Sequence, residues 1–592
     1  MIFTRERLLL RPLIAVLMLG LAACSDTDPE LAPIERAQHS LAAGDGIAAE
    51  VILREMIVAG VRPQDVAAYL GEAELRQGQT AEARQWLGEG NFSKQTRGHG
   101  FHMLGRLEME EGNLPEAGRA FDKALADKPE DAELWVDIGR LRYRGGEQMQ
   151  AVEASIKAVE FDELNPTALQ FRAQLVRDSQ GMQAALSWFE QALERNPENT
   201  GLLYEYAATL GEMGRAREML VNIRKIAKIN PANRKIYYLQ AVLAARAGKF
   251  ELARLLLLRA DKATLDLPAA MLLSGIIDVE NGNYASAAQT LEALAAKQPE
   301  NRRVQQVLAR ALALGGNDDE VIYLYADAAN LPGASPYLKS LVARSYEALD
   351  QRDKAGPLLD QAARLRSDNL VAVEGVSALE AAEARGSESG KDALDLIRAR
   401  IVSGNAQGAV AAAANFAGQF PGSFDALSLA GDANLAARRY NAAIENYDKA
   451  ATIRQTWTLT RKMIKAYHGA KQSDAALELL ARYFVGDQAN VEAATLLARE
   501  ALKRDDLDAA AIFADHALTN GGARDFALLS LRSKIAFLMK EFDFGLALAE
   551  EAYRLQPMSH LATAQLAAAY RKVEGGKLHA AQLGTKAKRL KR

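Results

Sequence analysis

The chain has a single cysteine, Cys24, in 592 residues. One thiol excludes an intrachain disulfide framework, and it excludes a structural zinc site built on several sulfurs. Beyond the first two dozen residues no segment reaches 18 apolar residues free of charge, so the sequence gives no support to a membrane-spanning helix in its body. An excess of positive charge is also missing. The formal net charge is −4, and it becomes more negative without the Arg-rich first residues, which argues against a general nucleic-acid binder.

Catalytic signatures are absent as well. G-x-x-x-x-G-K-[ST], H-E-x-x-H and G-x-S-x-G do not occur. The nearest approaches, "GEGNFSK" at 88–94 and "GSESG" at 386–390, complete neither a phosphate loop nor a nucleophile elbow and read as connectors. His99 and His102 stand three apart on one helix, but the sequence places no third metal ligand beside them. The acidic groups Asp318-Asp319-Glu320 and Asp505-Asp506 fall where a second helix begins, and acids there cap free N–H groups. The expectation is a protein without catalytic residues, metal or cofactor, and the basic end "KAKRLKR" reads as a solvated, fraying tail.

What is present begins with the leader. Arg5, Arg7 and Arg11 precede an apolar run from Leu13 to Ala23, the layout of a secretory signal. The run ends in Leu21-Ala22-Ala23-Cys24, which resembles the lipobox of bacterial lipoproteins. The resemblance implies that Cys24 carries lipid and becomes the mature N-terminus, anchoring the chain without spanning the bilayer. Ser25 follows it, with Asp26 one place later. In the Gram-negative lipoproteins this resembles, that arrangement favours the outer membrane over inner-membrane retention.

The body of the chain is periodic. Gly44, Gly78, Gly112 and Gly146 stand 34 residues apart; the next beat falls on Gln180 beside Gly181, and the series resumes at Gly214, Gly248, Gly282 and Gly316. Seven residues before the beat lies a small side chain, as at Gly71, Gly105, Gly139, Ala173 and Gly275, and five after it another, as at Ala83, Ala117, Ala151 and Ala287. Apolar residues on either side recur at three and four, which describes two amphipathic helices joined by a glycine stop. In "GHGFHMLGRLEMEEGNLPEAGRAFDKALADKP" the marks at Phe101, Leu104, Gly105, Ala117, Phe121, Ala124 and Pro129 resemble the tetratricopeptide repeat. Glu108 and Arg142 depart from it, standing where an aromatic residue is usual.

Frames of this kind open near residues 30, 64, 98, 132, 166, 200, 234, 268, 302 and 336, then 390, 424, 457, 491, 526 and 560. The predicted fold is all-α, a superhelical solenoid of helical hairpins in two arms. The expected organisation is a signal peptide at 1–23, a lipidated tether at 24–29, an N-terminal array at 30–369, an irregular helix and loop at 370–389 and a more divergent array at 390–592. The piece at 370–389 either turns the superhelix or is a degenerate repeat that continues it.

Tetratricopeptide arrays use concave grooves for protein segments, so the resemblance implies binding to other envelope proteins, with no nucleic acid involved. The leader and first repeat further resemble tetratricopeptide lipoproteins of exopolysaccharide and exosortase (PEP-CTERM) systems. In that family the ninth position of a frame tends to face the groove. Here it supplies Arg106, Arg140, Gln174, Ala208, Val242, Ile276, Arg310 and Arg344, a set suited to an acidic segment with an apolar centre. The plainer account of these arginines is an exposed helix face that bonds to acids of neighbouring repeats. Tyr143, Tyr204 and Tyr238 are candidate platforms if the ligand is a glycan, although helix packing explains them equally. A third alternative is an enzyme completed only with a partner.

Overall fold

In a computed structural model the described residues are 31–299, 301–331, 334–363, 379–386 and 389–591. They form 34 α-helices and one short 3₁₀ turn, with no strand among them. Helices open at Pro33, Pro63, Arg97, Ala132, Pro166, Thr200, Ile236, Pro268, Arg302 and Pro336, then at Gly390, Phe424, Trp457, Val491, Phe526 and His560. Each predicted frame therefore begins with a helix, and the fold is the all-α hairpin solenoid expected. The chain divides into two compact units, 1–127 and 128–592. The segments expected as signal peptide and tether, 1–29, lie outside the described residues, as does most of 370–389, of which the helix Leu379–Arg385, Gly386 and Ser389 are described.

The hairpin of helices Arg97–Glu111 and Leu114–Asp127 in the first unit shows how sequence sets geometry. Gly112 takes a left-handed conformation with φ 84°, and a Cβ there would meet nothing within 4 Å, so conformation alone selects glycine. Gly105 is selected by space: a Cβ on it would stand 2.3 Å from the Phe121 ring. The close approach of the two helices is thus glycine against a large residue rather than small against small. Gly71 against Leu87, Gly275 against Leu291 and Gly431 against Tyr447 repeat the arrangement. Full burial of a ring such as Phe121 stabilises the hairpin by about 1.5–3 kcal/mol.

In the second unit, side-chain caps open most hairpins. Asn165, Asn199, Asn301, Ser335, Ser423, Thr456, Asn490, Asp525 and Ser559 each accept an N–H of the following first turn. The glycine stop lapses in the later hairpins without any change in backbone. Arg438, Lys471, Asp505 and Lys540 stand at the beat with φ between 58° and 66°, the left-handed conformation glycine adopts elsewhere. Asp506 then caps the helix Leu507–Thr519, so only one member of the Asp505-Asp506 pair acts as a cap. The basic C-terminal stretch is helical as far as Leu590 with Lys588 and Arg589 exposed, while Lys586 donates to the Tyr553 hydroxyl (2.6 Å) and the Pro557 carbonyl (2.8 Å).

Within this unit the hairpins after residue 390 lie against those before 363. The Met149 amide donates to the Gly422 carbonyl (3.1 Å), the Phe424 amide to the Gln148 side chain (3.1 Å) and the Gln455 amide to the Asp178 carbonyl (2.8 Å). Further along, Gln556 donates to Ser340 (2.9 Å), and the Ser559 hydroxyl donates to the Asp360 carboxylate (3.2 Å). The loops that link one later hairpin to the next, with Phe424 at the start of the following helix, supply these contacts.

Candidate partner-binding face

The helices opening at Ala132, Pro166, Thr200, Ile236, Pro268, Arg302 and Pro336 carry the ninth-position residues of the second unit. Gln174, Ala208, Val242 and Ile276 are half-buried there. The arginines of the set are engaged. Arg140 pairs with Asp137 (2.9 Å) and lies over the Phe171 ring; Arg310 pairs with Glu280 (2.6 Å) of the preceding hairpin. Arg344, the exposed member, donates to the Leu555 carbonyl. Arg106 belongs to the first unit, where it is half-buried and engaged.

The three tyrosines are also half-buried. Tyr143 packs with Trp135 and Val152 around Val136, Phe171 and Leu175. Burial raises its hydroxyl pKa, the nearby Asp178 adding to the rise and Arg454 opposing it. Tyr204 and Tyr238 sit together against Leu203, Ile223 and Leu239, and burial pushes both phenols up. Asp178 and Glu212 have carboxyl pKa values raised by burial, with Arg177 opposing in both cases, Arg454 at Asp178 and Arg246 at Glu212. Arg454 and Asp487, which influence this face, come from the later hairpins. Tyr143, Asp178 and Glu212 thus each lie near a charge of the chain's own later hairpins.

Sequence reasoning missed that internal contact. Gly181 and Gly486 meet across it, and only the first lies near the periodic beat. Cys24 lies outside the described residues. His99 is held by Glu72 (2.8 Å) and tilts over Tyr69, while His102 packs on Phe121. No cluster of three His, Cys, Asp or Glu suited to a metal occurs among the described residues. Burial alone would push Glu72 up, but the His99 and Arg76 contacts outweigh it and hold the carboxyl down at about 2. Glu108, which departs from the usual aromatic, is buried and paired with Arg84 (2.5 Å), a contact that lowers its pKa. The segment 88–94 is a connector between helices Thr80–Leu87 and Arg97–Glu111, with Phe92 edge-on to Phe101 and the Ser93 amide donating to Gln64.

A family model, Tetratricopeptide repeat, matches residues 102–166, 272–337 and 394–457. Among solved structures, the chain is similar to Pseudomonas aeruginosa pilF, with 17% identity over 36% of this chain and 96% of that one, at a TM-score of 0.30. A tetratricopeptide repeat protein from Parabacteroides merdae gives 16% identity over 45% and 98%, at 0.29. The Cut9–Hcn1 hetero-tetramer of APC/C gives 14% over 90% and 95%, also at 0.29. Comparison with curated proteins gives no match.

Proposed function

Since the chain carries tetratricopeptide repeats in three separate stretches, and such repeats are protein-interaction modules, we propose that it is a lipid-anchored scaffold. Its partners are other proteins of a bacterial envelope, in assembly or in export of protein or exopolysaccharide. Those three stretches carry the reading, because stacked hairpins offer a surface to partners. The lipobox-like Leu21-Ala22-Ala23-Cys24 supports anchoring, and Ser25 after it supports the outer membrane, periplasmic face. Among the described residues no helix is long and apolar enough to cross a membrane. The tether "SDTDP" reaches about 20 Å when extended at ~3.3 Å per residue, which holds the first hairpin close to the lipid surface.

Two measurements test the proposal. Wild-type chain is expected to incorporate labelled palmitate and Cys24→Ala to lose it; equal labelling of the two defeats the anchor. Crosslinking in living cells followed by mass spectrometry is expected to recover envelope proteins on the hairpin faces. Recovery of none defeats the scaffold.

A further inference from the structure

The second unit contains a cavity of 490 Å³ between the first helices of its last three hairpins, Val491–Lys503, Phe526–Leu538 and His560–Tyr570. Leu502, Phe526, Leu531, Phe537 and several alanines make its floor apolar, and Ala363 closes one side. Among the described residues four cations line it, Arg499, Lys503, Lys534 and Lys572, and no carboxylate does. Arg499 is half-buried and engaged, Lys503 bonds Glu500 (2.6 Å), and Lys572 lies 4.8 Å over the Phe537 ring. Lys534 is exposed at the mouth.

The recurrence explains how the charges come together. Arg499 and Lys534 hold the ninth position of the frames opening at 491 and 526; Lys503 and Lys572 hold the thirteenth of those opening at 491 and 560. Stacking the hairpins brings both rows to one wall. Glu500 already offsets Lys503 and Arg499 is engaged, so the positive charge this apolar floor presents to a ligand comes chiefly from Lys534 and Lys572. The cations are spread along the stacking direction over two of the three helices and the turn after the third, which matches carboxylates distributed along a chain rather than one headgroup. The volume is that of a ligand pocket and admits a few side chains, not a domain.

We propose that this cavity binds an acidic protein segment, with an apolar side chain seated among Leu502, Phe526 and Phe537 and carboxylates meeting Lys534, Lys572 and Arg499. The assignment rests on the protein-interaction reading above and locates it in the last hairpins, apart from the ninth-position arginines of the earlier ones.

The test is fluorescence anisotropy of the purified full chain with a short labelled peptide alternating Asp and Glu with Leu and Phe. Binding is expected to weaken with salt and to fall at least about tenfold in Lys534→Glu with Lys572→Glu, while Lys534→Arg with Lys572→Arg binds as wild type. Polyglutamate and a peptide with Lys replacing the acids are expected to bind at least about tenfold more weakly, and phosphatidylglycerol vesicles are expected not to displace the probe. Equal binding by the charge-reversed protein, equal binding of polyglutamate, or displacement by vesicles overturns the proposal. A photoreactive version of the peptide, needing no substitution in the protein, is expected to label 491–503 and 526–538; labelling confined to other helices also overturns it. Any of these failures leaves in-cell capture by other faces standing, whereas absence of all protein crosslinks in cells defeats the scaffold reading itself.

Discussion

Gly181 and Gly486 meet backbone to backbone across 305 residues of sequence: a Cβ on Gly181 would stand 2.9 Å from the Gly486 Cα. No side chain can be interposed without moving one of the two segments. Gly181 also has φ 93°, so its replacement carries a conformational cost besides the clash. Gly214 separates the two effects, since its φ is 78° and a Cβ there meets nothing within 4 Å. Gly214→Ala is expected to cost about 1–2 kcal/mol of left-handed strain alone. Gly181→Ala is expected to cost more and to raise amide exchange at Met149 and Gln455, which bond across the same contact. Equal exchange at those amides in the two variants would show that the contact tolerates a methyl group.

Three of the later beats invite the opposite change. Arg438, Lys471 and Lys540 adopt φ of 58°, 62° and 66°, each a strained value for a side chain with a Cβ. Replacement by glycine relieves about 1–2 kcal/mol and returns part of it as chain entropy. Each of Arg438→Gly, Lys471→Gly and Lys540→Gly is expected to stabilise by about 0.5–1 kcal/mol and to raise Tm, measured by circular dichroism.

Asp432 is a buried acid shared by two donors, the Lys462 ammonium at 2.5 Å and the Tyr447 hydroxyl at 2.7 Å. Removing the cation leaves a carboxylate with one partner in an apolar site. Lys462→Met is expected to cost about 3–5 kcal/mol, and Asp432→Leu combined with Lys462→Met to cost less than the single change. Denaturant midpoints of the single and double variants decide it.

Glu72 gives the first unit an acid-sensitive clasp. Its carboxyl is held at about 2, below its ordinary 4.5, so the folded state binds the proton less readily than the unfolded one. The stability it contributes is therefore fully present above about 4.5 and is lost as pH falls toward 2. Glu72→Gln is expected to lower stability by about 1.5–3 kcal/mol at neutral pH and to flatten the acid limb between those values. Parallel acid limbs in the two proteins would contradict this role.

The hairpins were readable because their determinants are local. Gly112 and Phe121 lie within one frame, and the period repeats the same solution many times. Even the slip of the beat from Gln180 to Gly181 left the hairpin recognisable, since Gly181 carries the positive φ. Arg310 and Arg344 mark where local reading ends. Both occupy the same frame position, yet one meets Glu280 in the adjacent hairpin and the other a carbonyl 211 residues away. Nothing within a frame records that the loop after the helix Phe542–Leu555 comes to rest beside Ser340. The ninth-position rule applied to the later frames points to Arg499 and Lys534, but the apolar floor between them depends on how three hairpins stack.

The meeting of residues 148–181 with residues 422–486 also sets a timetable for the newborn chain. At ~5–20 residues per second, the edge around Gly181 waits roughly 15–60 s before Gly486 exists to cover it. The order is the same whether the chain emerges from a ribosome or threads N-terminus first through a translocation pore. During that interval the early hairpins are complete as hairpins but present Asp178, Met149 and the Gly181 backbone uncovered. The first half of the larger unit is thus born with a vacancy that only its own second half fills, which makes that interval the period when a chaperone has a binding surface the mature protein no longer shows.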